Sequence, residues 1–293
     1  MRPLISMIVP AYNEGHVIGA ALAPFARSAA GRRIELIVVP NNCSDDTAST
    51  ARHACPAARV IETPTPGKAH AMNLGFAAAR GDAVVFLDAD LTVSPAAVEA
   101  LAHPVLSGET KAACGRMEVR TRGTSPLVRL FYRGWSLNPY HDNGKFGGMF
   151  ALARDAAGQI FPLPSVTADD EYIARRIGEG AIAFVPEARF SVYPPHRLRD
   201  LIRIRRRSHR GTVRLAARSA QNPRPKGISA SAVMLARAAS RPGLWGALLV
   251  FATLTAWIRL LVALERRRGG KLTAELWERD DSSRLGRVGK TAP

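Results

Sequence analysis

Asp88 and Asp90 stand at the end of the apolar run Ala83 to Leu87 (AVVFL), which follows Gly81-Asp82. The run is short and unbroken, the signature of a strand buried in a parallel sheet. Successive strand residues face opposite ways, so the pattern sends both carboxylates to one side with small Ala89 between them. Open α/β sheets bind ligands at the carboxyl ends of their strands. Two carboxylates left alone there repel each other. A hard divalent cation held jointly with a diphosphate relieves the repulsion, since Mg2+ and Mn2+ favour oxygen ligands. The plainer alternative is a pair of strand-end acids ahead of a helix that starts at Ser94-Pro95.

The elements that must position this pair read as alternating strands and helices. Leu4 to Val9 (LISMIV) predicts a first strand, ended by Pro10-Ala11-Tyr12-Asn13-Glu14, and an Ala-rich helix covers about Val17 to Ser28. Ile34 to Val39 predicts a second strand, closed by the turn Pro40 to Thr47, with a helix to about Ala54 and a short strand from Arg59 to Glu62. Such a series builds a parallel sheet with right-handed crossovers. No GxGxxG follows the first strand, which argues against a dinucleotide site.

Thr65-Pro66-Gly67-Lys68-Ala69 opens the next helix. A Gly-Lys pair there suits an anion, because helix N-terminal amides and an ammonium converge on it. The same residues also make an ordinary surface turn, and they are not a Walker A loop. Farther on, Asp169-Asp170-Glu171 begins an amphipathic helix, where acidic residues in the first turn serve as dipole partners. The aromatics Phe131, Tyr132, Trp135 and Tyr140 read first as core and second as a wall on which a ligand stacks.

In this order the blocks PAYNE (10–14), NNCSDDT (41–47), Gly67-Lys68 with Asn73, Gly81-Asp82, Asp88-Ala89-Asp90, GGMFAL (147–152) and Asp169-Asp170-Glu171 resemble the nucleotide-sugar-dependent glycosyltransferases of family 2. The resemblance covers roughly residues 4 to 215. It implies an α/β fold of the GT-A type, with a Rossmann-related, mostly parallel sheet flanked by helices. It implies transfer of a sugar, with inversion, from a nucleoside diphosphate sugar to an acceptor hydroxyl, assisted by Mn2+ or Mg2+. Pro10, Tyr12 and Glu14 would line the base and ribose pocket, together with Asn41 and Asp45. Lys68 would reach the base or diphosphate. Asp88, next to Ala89, would contact the ribose or the metal shell, and Asp90 would be the direct metal ligand. Asp170 would be the base, with Asp169 and Glu171 as supporting charges. Gly147 and Gly148 would border the acceptor. His196 is a candidate late metal ligand. Asn41 replaces an Asp found in many members, within a variant pattern Asn-x-Cys-x-Asp-x-Thr, and uridine remains the favoured base.

The stretch Leu198 to Leu215 occupies the place of the QxxRW motif of processive synthases, but Ile204 and Ser208 stand where Gln and Trp belong. That departure argues for single transfers. Arg206, Arg207 and Arg210 would neutralise the diphosphate or a lipid phosphate, or form a basic amphipathic helix on anionic lipid. Leu244 to Leu264 has the length of a membrane span, with Trp245 and Trp257 suited to interfaces. Arg259 within it and basic residues on both flanks favour an interfacial or re-entrant helix as much as a span; a helix buried on the catalytic domain is the third possibility. The expected division is a catalytic domain over 1–218 (nucleotide-sugar half 1–115, acceptor half 116–218), a linker and helix over 219–243, the membrane-associating helix over 244–268 and a polar tail over 269–293.

The 293 residues carry a net charge of +17, 47% hydrophobic residues and a mean hydropathy of −0.04, values of a globular chain with some membrane affinity. About 22 basic and 6 acidic side chains fall in residues 196–293, so nearly all the excess lies in the last third. That cluster points to an anionic membrane surface and a polyprenyl-linked or other lipid-bound acceptor. Nucleic acid is not expected, for want of aromatics and of a recognition motif. Cys43, Cys55 and Cys114 lack metal spacing and read as reduced thiols. No signal peptide is recognisable at the N-terminus, and the expected location is the cytoplasmic side of the cell membrane. The competing classes are a nucleotidyltransferase, which would need a Gly-rich, Arg-containing loop after the first strand, and a non-catalytic protein that binds nucleotide sugar, lipid or nucleic acid.

Overall fold

A computed structural model describes residues 5–26, 34–142, 146–166, 168–218 and 230–267. The segment 219–229 of the expected linker, and the expected tail 269–293, lie outside them. The chain divides into two compact units, one gathering Met1–Glu118 and Gly144–Val192, the other Val119–Asn143 and Tyr193–Gly289.

The first unit contains eight strands: β1 (Ile5–Ala11), β2 (Ile34–Pro40), β3 (Arg59–Val60), β4 (Ala83–Leu87), β5 (Thr92–Val93), β6 (Ala112–Val119), β7 (Met149–Ala153) and β8 (Ile182–Val192). They form one sheet in the order β3-β2-β1-β4-β7-β6-β8-β5. Its helices are α1 (Gly15–Ala26), α2 (Thr47–Ala54), α3 (Lys68–Ala78), α4 (Pro95–Leu106), α6 (Arg154–Gly158) and α7 (Asp169–Ile177), while α5 (Pro126–Trp135) belongs to the second unit.

Neighbours among β3, β2, β1 and β4 are parallel, as the βαβ reading requires. Beyond β4 the pairs β4–β7, β7–β6 and β8–β5 are antiparallel, so the sheet is mixed. Along β1, Met7 and Val9 enter one apolar cluster with residues of α1, α2 and α4, while Ile8 enters another with residues of α3, α6 and α7. β4 divides in the same way, Val85 and Leu87 against Val84 and Phe86. Burial on both faces is why these strands read as unbroken apolar runs. Each such side chain contributes roughly 1.5–3 kcal/mol.

Local signals act where expected. Ser94 caps α4 by accepting the Ala97 N–H at 3.2 Å, with Pro95 in the first turn. The strand-alternation argument for the aspartates does not carry through. β4 ends at Leu87 and the chain turns, the Asp88 carbonyl accepting the Leu91 N–H at 3.2 Å. Ala89 is nonetheless buried, and Asp88 and Asp90 are both partly exposed.

The entry to β4 is fixed by a buried hydroxyl. Ser6 Oγ accepts the N–H groups of Gly81 (2.7 Å) and Arg80 (3.1 Å) and donates to Glu35. Burial alone would raise the Glu35 carboxyl above its ordinary value, but the bonds from Ser6 and Arg80 outweigh it and hold it lower. Stability from this group is therefore present above the unfolded-state pKa and is lost as pH falls through the folded value.

The second unit is helical: α5, α8 (Leu198–Arg218), α9 (Ala230–Ala239) and α10 (Trp245–Arg267). Gly134 of α5 lets α10 approach, for a Cβ there would sit 2.2 Å from the Ala247 carbonyl oxygen. Phe131 is buried and rests on Phe251 with ring centroids 5.2 Å apart, which confirms the core role expected first for this aromatic. Arg205 of α8 stacks over Phe131, Tyr132 and Trp135, nearest Trp135 at 4.6 Å.

A Cβ at Gly81 would lie 2.5 Å from the Ser6 backbone nitrogen, and backbone cannot step aside as a side chain can. Gly81→Ala is expected to cost about 1–3 kcal/mol of stability, read by urea denaturation, with β1 and β4 forced apart.

Candidate active site

Two loops at the carboxyl ends of β1 and β2 are stitched together by side chain to backbone bonds. Asn13 and Asn42 both adopt left-handed backbone, φ 52° and 49°, which Asn tolerates better than most residues. Asn13 Oδ1 accepts the Ser44 N–H at 2.7 Å, and the Glu14 N–H donates to Thr47 Oγ1 at 2.7 Å. Asp45 Oδ2 accepts the Gly15 N–H at 3.0 Å, and its Oδ1 accepts the Thr47 N–H at 3.1 Å. The PAYNE and NNCSDDT blocks are thus one structure. Pro10 and Glu14 are buried in it, while Tyr12 is partly exposed.

Asn41 has a different place from the one expected. It is fully buried, its Nδ2 donating to the Ala11 carbonyl at 2.7 Å and its Oδ1 accepting the Gly67 N–H at 3.1 Å. The side chain therefore ties β1 to the loop that carries Lys68. An Asp could accept from Gly67 but could not donate to Ala11, which gives the variant Asn a physical reason. The Asp45 carboxylate, expected at the nucleotide, likewise bonds backbone.

Lys68, the first residue of α3, joins the remaining motifs. Its Nζ lies 2.8 Å from Asp88 Oδ1 at the end of β4 and 2.9 Å from Asp169 Oδ2 at the start of α7. Burial would push the ammonium's pKa down, but Asp169, Asp88 and Asp170 more than offset this and hold it above the ordinary lysine value. Burial raises the enclosed Asp169 carboxyl, and Lys68 is the group that pulls it back toward ionisation. Asp170 is partly exposed, its Oδ1 accepting the Glu171 N–H at 2.8 Å, which fixes the carboxylate at the helix entrance. Asp88 is also held through its backbone, donating to the Gly148 carbonyl at 2.8 Å; Gly147 and Gly148 have φ 145° and 73°. Asn73 and Leu163 exchange two bonds (2.9 and 2.7 Å), which fasten α3 to the segment leading toward α7.

A model of glycosyl transferase family 2 matches residues 6–161, more than half of the chain and the stretch that holds all these loops except the start of α7. The chain belongs to that family. Among curated relatives, a glucosyl-3-phosphoglycerate synthase of Mycolicibacterium paratuberculosis is 37% identical over 114 residues, 36% of this chain and 34% of that protein. The glycosyltransferase AglD of Haloferax volcanii is 32% identical over 153 residues, 44% of this chain and 24% of that protein. The chain thus spans a quarter to a third of the length of these relatives. The crystal structure of glucosyl-3-phosphoglycerate synthase from Mycobacterium tuberculosis with Mn2+, UDP-glucose and phosphoglyceric acid superposes with a TM-score of 0.54 at 26% identity, covering 76% of this chain and 82% of that one.

Family 2 motifs pointed to Asp90, Asp88 and Asp170 but left Asp169 as a supporting charge; here it is 4% exposed and ion-paired. Ala89 lies buried between the two aspartates of the turn. Among the described residues no three His, Cys, Asp or Glu side chains gather as a metal cage. The candidate late ligand of the sequence is His196. It belongs to the second unit, where its carbonyl accepts the Ser125 N–H at 2.9 Å. Arg206, expected beside the diphosphate, is paired with Glu265 of α10, which also takes Arg210 at 2.7 Å. Arg207 is partly exposed on α8.

Lys68→Met leaves Asp169 enclosed without its counter-charge and is expected to cost on the order of 3 kcal/mol near neutral pH. The folded-state pKa of Asp169 then lies further above its unfolded value, so the deficit grows as pH rises above the ordinary carboxylate range. Lys68→Met with Asp169→Asn should recover much of the loss, measured as a double-mutant cycle by denaturant titration.

Proposed function

We propose that the protein transfers a sugar from a nucleoside diphosphate sugar, with uridine the favoured base, to an acceptor hydroxyl with inversion at the anomeric carbon. The observation that carries the reading is the meeting of Lys68, Asp88, Asp169 and Asp170, from three separate motifs, at the ends of β4, α3 and α7. Similarity to a synthase solved with Mn2+ and UDP-glucose supports the donor class and the cation.

The residues present suit a hard divalent cation. Asp88 and Asp90 offer only oxygen and both are partly exposed; among the described residues no group of three possible ligands gathers, so the remaining positions would fall to diphosphate oxygens and water. Mn2+ or Mg2+ bound there would supply charge neutralisation for the departing diphosphate. The chain's own groups do the rest. Asn41 holds the Gly67 amide, and with it the start of α3, in place beside β1. Lys68 keeps Asp88 and Asp169 together and adds a fixed positive charge. Asp170, accessible and locked by the Glu171 amide, takes the proton of the acceptor hydroxyl as it attacks.

The departures at Ile204 and Ser208 support single rather than processive transfers. The basic, apolar last third supports a lipid-linked acceptor and action at the cytoplasmic face of a membrane. A relative from Pseudomonas paraeruginosa, an undecaprenyl-phosphate 4-deoxy-4-formamido-L-arabinose transferase, is 30% identical over 112 residues and is compatible with that choice.

Release of nucleotide from a panel of nucleoside diphosphate sugars, with Mn2+, Mg2+ or chelator, tests the reading. One donor should be turned over slowly in a cation-dependent way, and Asp90→Ala should abolish it. Asp170→Asn should lower transfer about 10²–10⁴-fold while calorimetry shows donor binding retained. Absence of both turnover and cation-linked nucleotide binding would refute the proposal.

A further inference from the structure

Helix α10 has two unlike sides. Ala247, Leu248, Ile258 and Val262 are buried against the helices of its own unit, α5, α8 and α9. The opposite side presents Trp245, Leu249, Trp257, Leu260 and Leu264, each between 40 and 68% exposed. These residues form one stripe about 29 Å long at 1.5 Å per residue. Between Trp245 and Leu264 the only charged residue is Arg259, at the edge of the exposed side. A helix face of that length turned to water ordinarily carries several charges. Of the nine large apolar side chains most exposed among the described residues, all but Leu106 belong to the second unit. An apolar band so concentrated is an interaction surface.

Two observations name its occupant. The last third of the chain carries the basic excess, and Arg241 and Arg259 are exposed before and within the helix, which complements an anionic surface. Trp245 at the start of the stripe, Trp257 beyond its middle and a basic edge are the composition of a helix lying in a membrane interface. The packing also decides the orientation. The covered side of α10 is engaged from Ala247, against Gly134, to Glu265, which holds Arg206 and Arg210 of α8. A helix crossing the bilayer would take α8 with it, including Arg203, Arg205 and Arg207, at roughly 2.5–3.5 kcal/mol for each arginine near the centre.

We propose that α10 docks in the plane of one anionic bilayer leaflet, its exposed stripe in the acyl boundary and α5 and α8 on the water side, without crossing. The binding is independent of the catalytic reading, because none of the stripe residues lies among the groups assigned to sugar transfer.

The test is co-sedimentation of the full chain with vesicles of phosphatidylcholine alone or with about a third phosphatidylglycerol, for wild type and Leu249→Glu/Leu260→Glu. Both positions are exposed, so unchanged thermal denaturation should show the fold intact. Wild type should bind the anionic vesicles, and the double variant should bind about a hundredfold more weakly while keeping its donor turnover. Quenching by brominated lipids, compared in Trp245→Phe and Trp257→Phe, should place both indoles at the same shallow depth. Failure of wild type to bind, or equal binding by the variant, would overturn the proposal. So would indoles at different depths, the mark of a span, or a dimer that the variant dissociates in the absence of lipid, the mark of a second copy on the stripe.

Discussion

The ammonium of Lys68 is the constraint on which the first unit's chemistry rests. Three carboxylates brought together by β4 and α7 would drive one another apart or take up protons. One enclosed cation at the head of α3, within 2.9 Å of Asp88 and of Asp169, offsets that repulsion. The same bond fixes three elements relative to one another, so a charge requirement of the site is also a packing requirement of the fold. The division of labour between neighbouring aspartates follows. Asp169 is spent on the ion pair, and Asp170, one residue on, keeps its access to solvent.

A second layer of polar bonds sets the loops that surround this group. Asn41, Asn13 and Asp45 spend their side chains on backbone atoms of neighbouring loops. Asn41 fastens the ends of β1 and β2, while Asn13 and Asp45 fasten the loops that follow them. The strand-end loops are therefore shaped before any ligand arrives. In the second unit the corresponding work is done by charge and stacking, with Arg205 over three rings and Arg206 and Arg210 on Glu265.

What was legible in the chain was local. The apolar run of β4, the Ser94 cap and the alternation of strands and helices follow from neighbours within a few residues, and all appear in the fold. The ordered motifs located the acidic cluster. The partners were not legible, because they come from far along the chain: Lys68 and Asp169, Asn73 and Leu163, Arg206 and Glu265. Asn41 looked like a ligand contact because its neighbours in sequence are motif residues, whereas its burial depends on loops that only the tertiary fold brings together. The antiparallel half of the sheet was hidden for a similar reason, since an apolar strand reads alike in either direction.

The interleaving of the two units has a consequence for the birth of the protein. Residues 119–143 of the helical unit are made before residues 144–192 complete the sheet. On a ribosome, α5 therefore emerges with its Phe131 and Gly134 side bare, and α10, which covers it, follows roughly a hundred residues later. At about 5–20 residues per second that interval lasts on the order of 5–20 seconds. The sheet unit is complete in sequence once residue 192 has been made and the helical unit only once α10 has followed, so the helical unit assembles last. During that wait the nascent chain is most open to chaperones and to misassembly.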